Sequence, residues 1–295
     1  MAKAAFFTSL RLLVFVLLQG IAYAAAGGIL MSDMARSQGE TEPAGLMFPL
    51  LILIQGAAIA VLIAGANPGR LRNAIVVSVA AFGAGTVLSQ IDTAVFLRGA
   101  DASFLTNIVL LGLVTSISAA LIGVFILKAG QLRPGESVAM PQTLMGWTTA
   151  MILIALAHIA VYFTLGYWLI WIHDDARGFY GGGDLLGFFA HLDDTAGATP
   201  WLFAVQFIRG LIFAGLAVLI FQALSLPRWG RIAVAALVFF AYFAAPLIVP
   251  NPFMPAWLRH LHLAETGLTC ALMALAAGVF LRPYGSAGLK FQKLR

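Results

Sequence analysis

Long apolar runs recur along the chain, separated by short breaks rich in charge, glycine or proline. Because about 20 mostly apolar residues in a helix cross about 30 Å of hydrocarbon, each run predicts a membrane-spanning helix. The predicted segments are 5–31, 44–65, 72–97, 104–128, 143–173, 200–225, 231–249 and 256–281. The ten-residue alternating strands of a membrane barrel are absent. The expected fold class is an all-α polytopic membrane protein with about eight transmembrane helices and almost no soluble domain. The first run also has signal-peptide features, with Lys3 and Arg11 before an apolar core and alanines after Tyr23. Its apolar stretch is long for a signal core and has a counterpart later in the chain, so retention is expected.

Two breaks carry structure of their own. Prolines at 246, 250, 252 and 255 remove backbone donors and disfavour helix in the residues before them. That stretch predicts a rigid connection aiming the last helix. The longest break, 174–199, holds the triplet Gly181 to Gly183, expected to be flexible, and then Asp184-Leu-Leu-Gly-Phe-Phe-Ala-His-Leu. Asp184 suits an N-cap, and the apolar residues after it suit a short interfacial helix. Such a loop either rests on lipid or covers a cavity.

Composition agrees with the pattern. Of the 295 residues, 61% are hydrophobic and only 10% charged, less than half the usual share of charge. The net charge of +5 does not point to nucleic acid, because the basic residues sit where orientation signals belong. Lys3, Arg11, Arg70, Arg72, Lys128, Arg133, Arg228, Arg231, Arg282, Lys290, Lys293 and Arg295 fall on one side of the predicted membrane, with Glu136. That side is expected to be cytoplasmic and to hold both termini. The opposite breaks carry Asp33, Glu40, Glu42, Asp101, Asp174, Asp175, Asp184, Asp193 and Asp194, with Arg36, Arg98 and Arg177. A bacterial-type inner membrane is the expected location.

The halves share marks. Gln19, Tyr23 and Gly27 have the spacing of His158, Tyr162 and Gly166. Pro49 and Gln55 match Pro200 and Gln206, while Gly112-Leu113 with Gly123-Val124-Phe125 matches Gly267-Leu268 with Gly278-Val279-Phe280. Segments three and seven agree only in their basic beginnings. An even number of helices per copy starts both on the same side, so these marks predict two parallel four-helix repeats, 1–141 and 142–295, the second bearing the 174–199 interfacial loop.

Ionisable side chains are costly in hydrocarbon and normally face a bundle interior or a wet cavity. Gln90, Asp92, Gln206, Arg209, Arg259, His262 and Glu265 all map to the outer half of the predicted spans and form the candidate ligand-binding set. His262 and Glu265, three residues apart, share a helix face, and Arg259 extends it. Either the two arginines hold an anionic group, or Arg209 neutralises Asp92 or Glu265 and locks the repeats together. His158 is deepest, and with Tyr162, Gln19 and Gln55 it marks either a polar core or a haem b site. A hydrogen bond from His158 across helices, to Tyr23, Gln19 or Gln55, is the expected arrangement.

No P-loop, dinucleotide fingerprint, nucleophile elbow or zinc-protease motif occurs, and no catalytic residue is identified. The single Cys270 forms no disulfide framework, and no metal site is expected. Three readings remain. The first is a membrane protein, without an ATPase of its own, that binds or transports a small or lipid-like, anionic molecule through an outward-facing polar cavity. The second is an assembly subunit docking other membrane subunits, and the third a membrane-embedded redox or metal-dependent enzyme.

Overall fold

The structure is a computed structural model and describes residues 2–30, 45–96, 102–132, 140, 143–251 and 253–282, with side chains from residue 9 onward. The charges at Lys3, Asp33, Arg36, Glu40, Glu42, Arg98, Asp101, Arg133, Glu136, Lys290, Lys293 and Arg295, and Pro252, lie outside that description.

The described residues form ten helices, eight of them long and apolar enough to cross a membrane. In chain order they are α1 (Ala2–Leu30), α2 (Met47–Gly65), α3 (Arg70–Phe96), α4 (Ala102–Ile126), α5 (Leu144–Trp171), α6 (Asp174–Tyr180), α7 (Phe188–Ala198), α8 (Trp201–Ala223), α9 (Arg228–Ile248) and α10 (Ala256–Phe280). Three of the long helices widen into a π-helical turn, at Gly83–Val87 in α3, Gly166–Trp171 in α5 and Phe240–Ala244 in α9. A π-turn inserts an extra residue into the helical ladder and recurs at functional sites.

The core is central. Phe15, Ile59, Leu62, Phe213, Phe221 and Phe239 are its largest fully buried residues, drawn mainly from α2, α8 and α9. Burial is greatest along α9, at 61% of its apolar core, and least along α1, at 17%. α2, α3, α8 and α9 therefore form an inner group, and α1, α4, α5 and α10 flank it. α1 packs on α2 and α4, and α3 on α4; likewise α5 packs on α8 and α10, and α9 on α10. Across the middle α2 meets α9 and α8 meets α3, while the π-turns of α3 and α9 abut. Gly85 makes that approach possible, since a Cβ there would stand 3.3 Å from the Tyr242 carbonyl oxygen.

One end of the bundle is basic and stitched. Beyond α2 and α8 the chain makes an isolated antiparallel bridge, Ala66 with Leu224. The Asn67 amide donates to the Ala223 carbonyl at 2.9 Å, and the Ser225 amide to the Gly65 carbonyl, also at 2.9 Å. Gln131 and Leu132, after α4, donate to the Ala64 carbonyl. Arg72 donates to Gln222 O, Arg228 to Gly278 O and the buried Arg231 to Leu226 O and Phe221 O. These arginines act as clamps on helix-end carbonyls, which otherwise lack partners.

The opposite end carries α6 and α7. The expected short helix forms but without Asp184 as its cap: Asp184 lies in irregular chain, α7 begins at Phe188 with Gly187 as its N-cap, and α6 precedes both. Buried Arg177 is the physical reason. Its guanidinium donates to Gly183 O at 3.1 Å and Trp171 O at 2.8 Å and pairs with Asp174. The glycine triplet is thereby folded into a turn, with Gly181 at φ 75° closing α6. From Val249 to Pro255 the described chain is non-helical, as the prolines predict.

Candidate functional site

Five side chains, three buried and two half-buried, meet at the acidic end of the central helices. Arg209 stands eight residues inside α8, ~12 Å from its start at 1.5 Å per residue. It is 3% exposed. Its Nη1 donates to Gln206 Oε1 at 2.8 Å and its Nη2 to Asp92 Oδ2 at 2.7 Å. The guanidinium lies over the rings of Phe243, 5.5 Å from its centroid, and Tyr162, at 6.0 Å. α3, α5, α8 and α9 thus all touch one cation. Of the two neutralising partners expected for Arg209, Asp92 is the one bonded.

His158 lies deeper, 1% exposed and facing α8. Its partner corrects the expectation. Nδ1 is 2.9 Å from the main-chain carbonyl of Gln206 rather than bonded to Tyr23, Gln19 or Gln55. A carbonyl only accepts, so Nδ1 carries the proton and donates. The contact depends on close helix packing, because a Cβ on Gly210 would come within 2.5 Å of Ala155 Cα and 2.9 Å of His158 Cβ.

A second chain of polar groups runs from α6 into α10. Tyr180 Oη lies 2.7 Å from His262 Nε2, and His262 Nδ1 lies 2.9 Å from Glu265 Oε2. Burial first, then the negative charges of Glu265 and Asp92, push the Tyr180 phenol up, so it keeps its proton. Tyr180 also packs edge-on against Phe96, one turn beyond Asp92 on α3, with ring centroids 6.5 Å apart, which places the two sets side by side. Arg259 Nη1 donates to Val249 O at 3.2 Å, fastening the proline-rich connection.

Polar atoms around Arg209 are unevenly satisfied. Asp92 Oδ1, Gln206 Nε2, Arg209 Nε and, on the same stretch of α3, Gln90 Oε1 are buried without a hydrogen-bond partner. Two accept and two donate. Gln19 lies elsewhere, against Gly56 of α2, and its Oε1 is likewise unmatched. Near it stand Tyr242 and Tyr23, so the residues proposed with His158 separate into two clusters, His158 with Tyr162 and Gln19 with buried Gln55 on the α2 side.

Tyr180, Phe243 and Tyr242 escaped the sequence reading. Nothing local marks Tyr180 as a partner of His262, since 82 residues separate them. Among the described residues no group of three or more His, Cys, Asp or Glu is set to hold a metal. A groove of about 350 Å3 lined by Leu71, Arg72, Ile75, Val76, Leu219 and Gln222 lies at the basic end of α3 and α8, away from this site. No protein-family model, curated protein or solved structure matches the chain.

Proposed function

We propose that the chain is a multi-pass protein of a bacterial-type inner membrane whose outward-facing polar site binds, or passes through the bilayer, a small or lipid-like molecule. The supporting observation is the set of unmatched donors and acceptors around Arg209 and Asp92. A buried polar group without a partner costs about 1–3 kcal/mol, and three such atoms belong to the bonded Asp92–Arg209–Gln206 set. A bound molecule offering donors and acceptors would relieve that cost. Because Asp92 compensates Arg209, the site favours a ligand of balanced charge over a bare anion, and α6 and α7 form its cover.

The halves are proposed to be parallel four-helix copies. The helix contacts of α1 to α4 recur among α5, α8, α9 and α10, and Ala66 bridges Leu224 with reciprocal bonds. A Cβ on Gly56 would meet Val16 and Gln19, and one on Gly210 would meet Ala155 and His158. These contacts align Gly56 with Gly210, so the counterpart of Arg209 is Gln55, not the Gln55–Gln206 match drawn from spacing. α8, with 23 residues against 19 in α2, then carries one extra turn.

The test extracts wild type and the paired variant Asp92→Leu/Arg209→Met in mild detergent and reads co-purifying molecules by native mass spectrometry. A polar adduct retained by the wild type and missing from a folded paired variant is the expected result. Identical spectra would overturn the reading. The assembly reading draws on the same ion pair as a lock between helices, and it predicts identical spectra together with larger particles. The metal-dependent enzyme reading has less support, since both ring nitrogens of His262 are already engaged.

A further inference from the structure

The chain Tyr180–His262–Glu265 has a defined polarity. A carboxylate oxygen accepts, so His262 Nδ1 donates its hydrogen to Glu265 Oε2, 2.9 Å away, which leaves Nε2 with its lone pair. The Tyr180 hydroxyl fills that lone pair at 2.7 Å. Tyr180 belongs to the seven-residue α6, outside the spanning helices, whereas His262 and Glu265 belong to α10. A hydroxyl from a short peripheral helix therefore sits on an acceptor carried by a spanning helix, with side chains of His262 and Glu265 only 20% and 11% exposed.

The acceptor's carboxylate faces α5. Glu265 Oε1 approaches the π-turn of α5, 4.0 Å from where a Cβ on Gly166 would stand. The next turn of α10 is tied by Thr269 Oγ1 donating to Glu265 O at 3.0 Å. Because Tyr180 packs on Phe96, four residues after Asp92, the seat lies beside the turn of α3 that carries the unmatched Asp92 Oδ1.

We infer that His262 Nε2, its tautomer fixed by Glu265, is the seat for a hydroxyl of the bound molecule, that Tyr180 occupies this seat when the site is closed, and that the ligand is a hydroxyl-headed amphiphile. This rests on the outward polar site proposed above and specifies its ligand class. The hydroxyl donates to Nε2, the remaining head-group atoms reach Asp92, Gln206 and Arg209, and the apolar part lies along the lipid-facing helices. Binding displaces Tyr180 and with it α6. No bond is made or broken in the ligand.

Diethyl pyrocarbonate acylates the unprotonated imidazole nitrogen, so the rate at His262, read by peptide mass, reports whether Nε2 is free. Tyr180→Phe should raise that rate about five-fold, the factor matching the net worth of one hydrogen bond. Monoolein, with two free hydroxyls, should then restore protection in Tyr180→Phe, while its di-O-methyl ether should not. At higher monoolein the wild type should show the same preference, which keeps the test valid if Tyr180→Phe folds poorly. An unchanged rate in folded Tyr180→Phe, or equal protection by both amphiphiles, overturns the inference. Such a failure, alongside an adduct lost from Asp92→Leu/Arg209→Met, would leave the polar site standing and remove only the hydroxyl seat.

Discussion

Removing the Arg209 side chain tests whether the Asp92 pair is held at its neighbours' expense. Arg209→Met deletes both bonds of the guanidinium and leaves Asp92, 33% exposed at the side chain, with no cation. Breaking a buried pair from one side costs about 3–5 kcal/mol. Water reaching the exposed third of Asp92 recovers part of that, so about 2–4 kcal/mol is expected. Asp92→Leu with Arg209→Met removes both charges, and replacing a whole pair by apolar groups is close to neutral, leaving about 1 kcal/mol for the lost Gln206 contact. The double variant should therefore be more stable than Arg209→Met alone, an inversion that simple loss of contacts cannot give. Graded SDS titration in mixed micelles, with the two single variants and the double forming a cycle, supplies the values. A double variant as unstable as Arg209→Met, or less stable, would refute the reasoning.

Gly210→Ala should destabilise by about 1–3 kcal/mol in the same titration, because its Cβ meets the Ala155 backbone rather than a yielding side chain. Gly215→Ala, with nothing within 4 Å, should be neutral or stabilising. His191 stacks on Trp171 with ring centroids 4.9 Å apart, and burial lowers its pKa against a smaller opposing effect of Asp194. Its neutral form is thus favoured in the fold: the contribution is complete above the unfolded value of about 6.5 and is lost as pH falls through it toward the lowered folded value. His191→Phe should flatten stability between pH 7 and 5, and an unchanged slope would count against that assignment. Since Cys270 is fully buried, an impermeant maleimide should label Asp184→Cys on intact spheroplasts and Gln131→Cys only after permeabilisation. The opposite pattern would reverse the proposed orientation.

The spans were legible because they depend on length and apolarity alone: 256–281 was read and Ala256–Phe280 observed. Charge inside apolar stretches stood out as well, and the structure pairs Arg209 with Asp92 and His262 with Glu265. Other partners were less legible. His158 bonds a main-chain carbonyl of α8, and any residue type could supply that atom. α6 was missed because its turn is held by Arg177 reaching Trp171 O and Gly183 O, bonds that local propensity does not encode. The π-turns leave no mark in apolar periodicity.

The charged cluster is not the only way this fold could fill that space. On the proposed duplication, the place of His158 is taken in the first half by Gln19 and that of Arg209 by Gln55, both neutral and buried. Helix packing around Gly56 resembles that around Gly210, so neutral residues suffice to hold such an interface. The ion pair, by contrast, requires Asp92 from α3 of one half and Arg209 from α8 of the other. Neither charge is tolerable without its partner, and together they leave unmatched atoms that the neutral cluster has in smaller number. A device that adds two interdependent charges and still leaves donors open is poorly explained as a lock. On the proposed function it is a binding site, which places the functional weight on Asp92 and Arg209 and makes loss of a bound molecule, with folding intact, the decisive phenotype of their joint replacement.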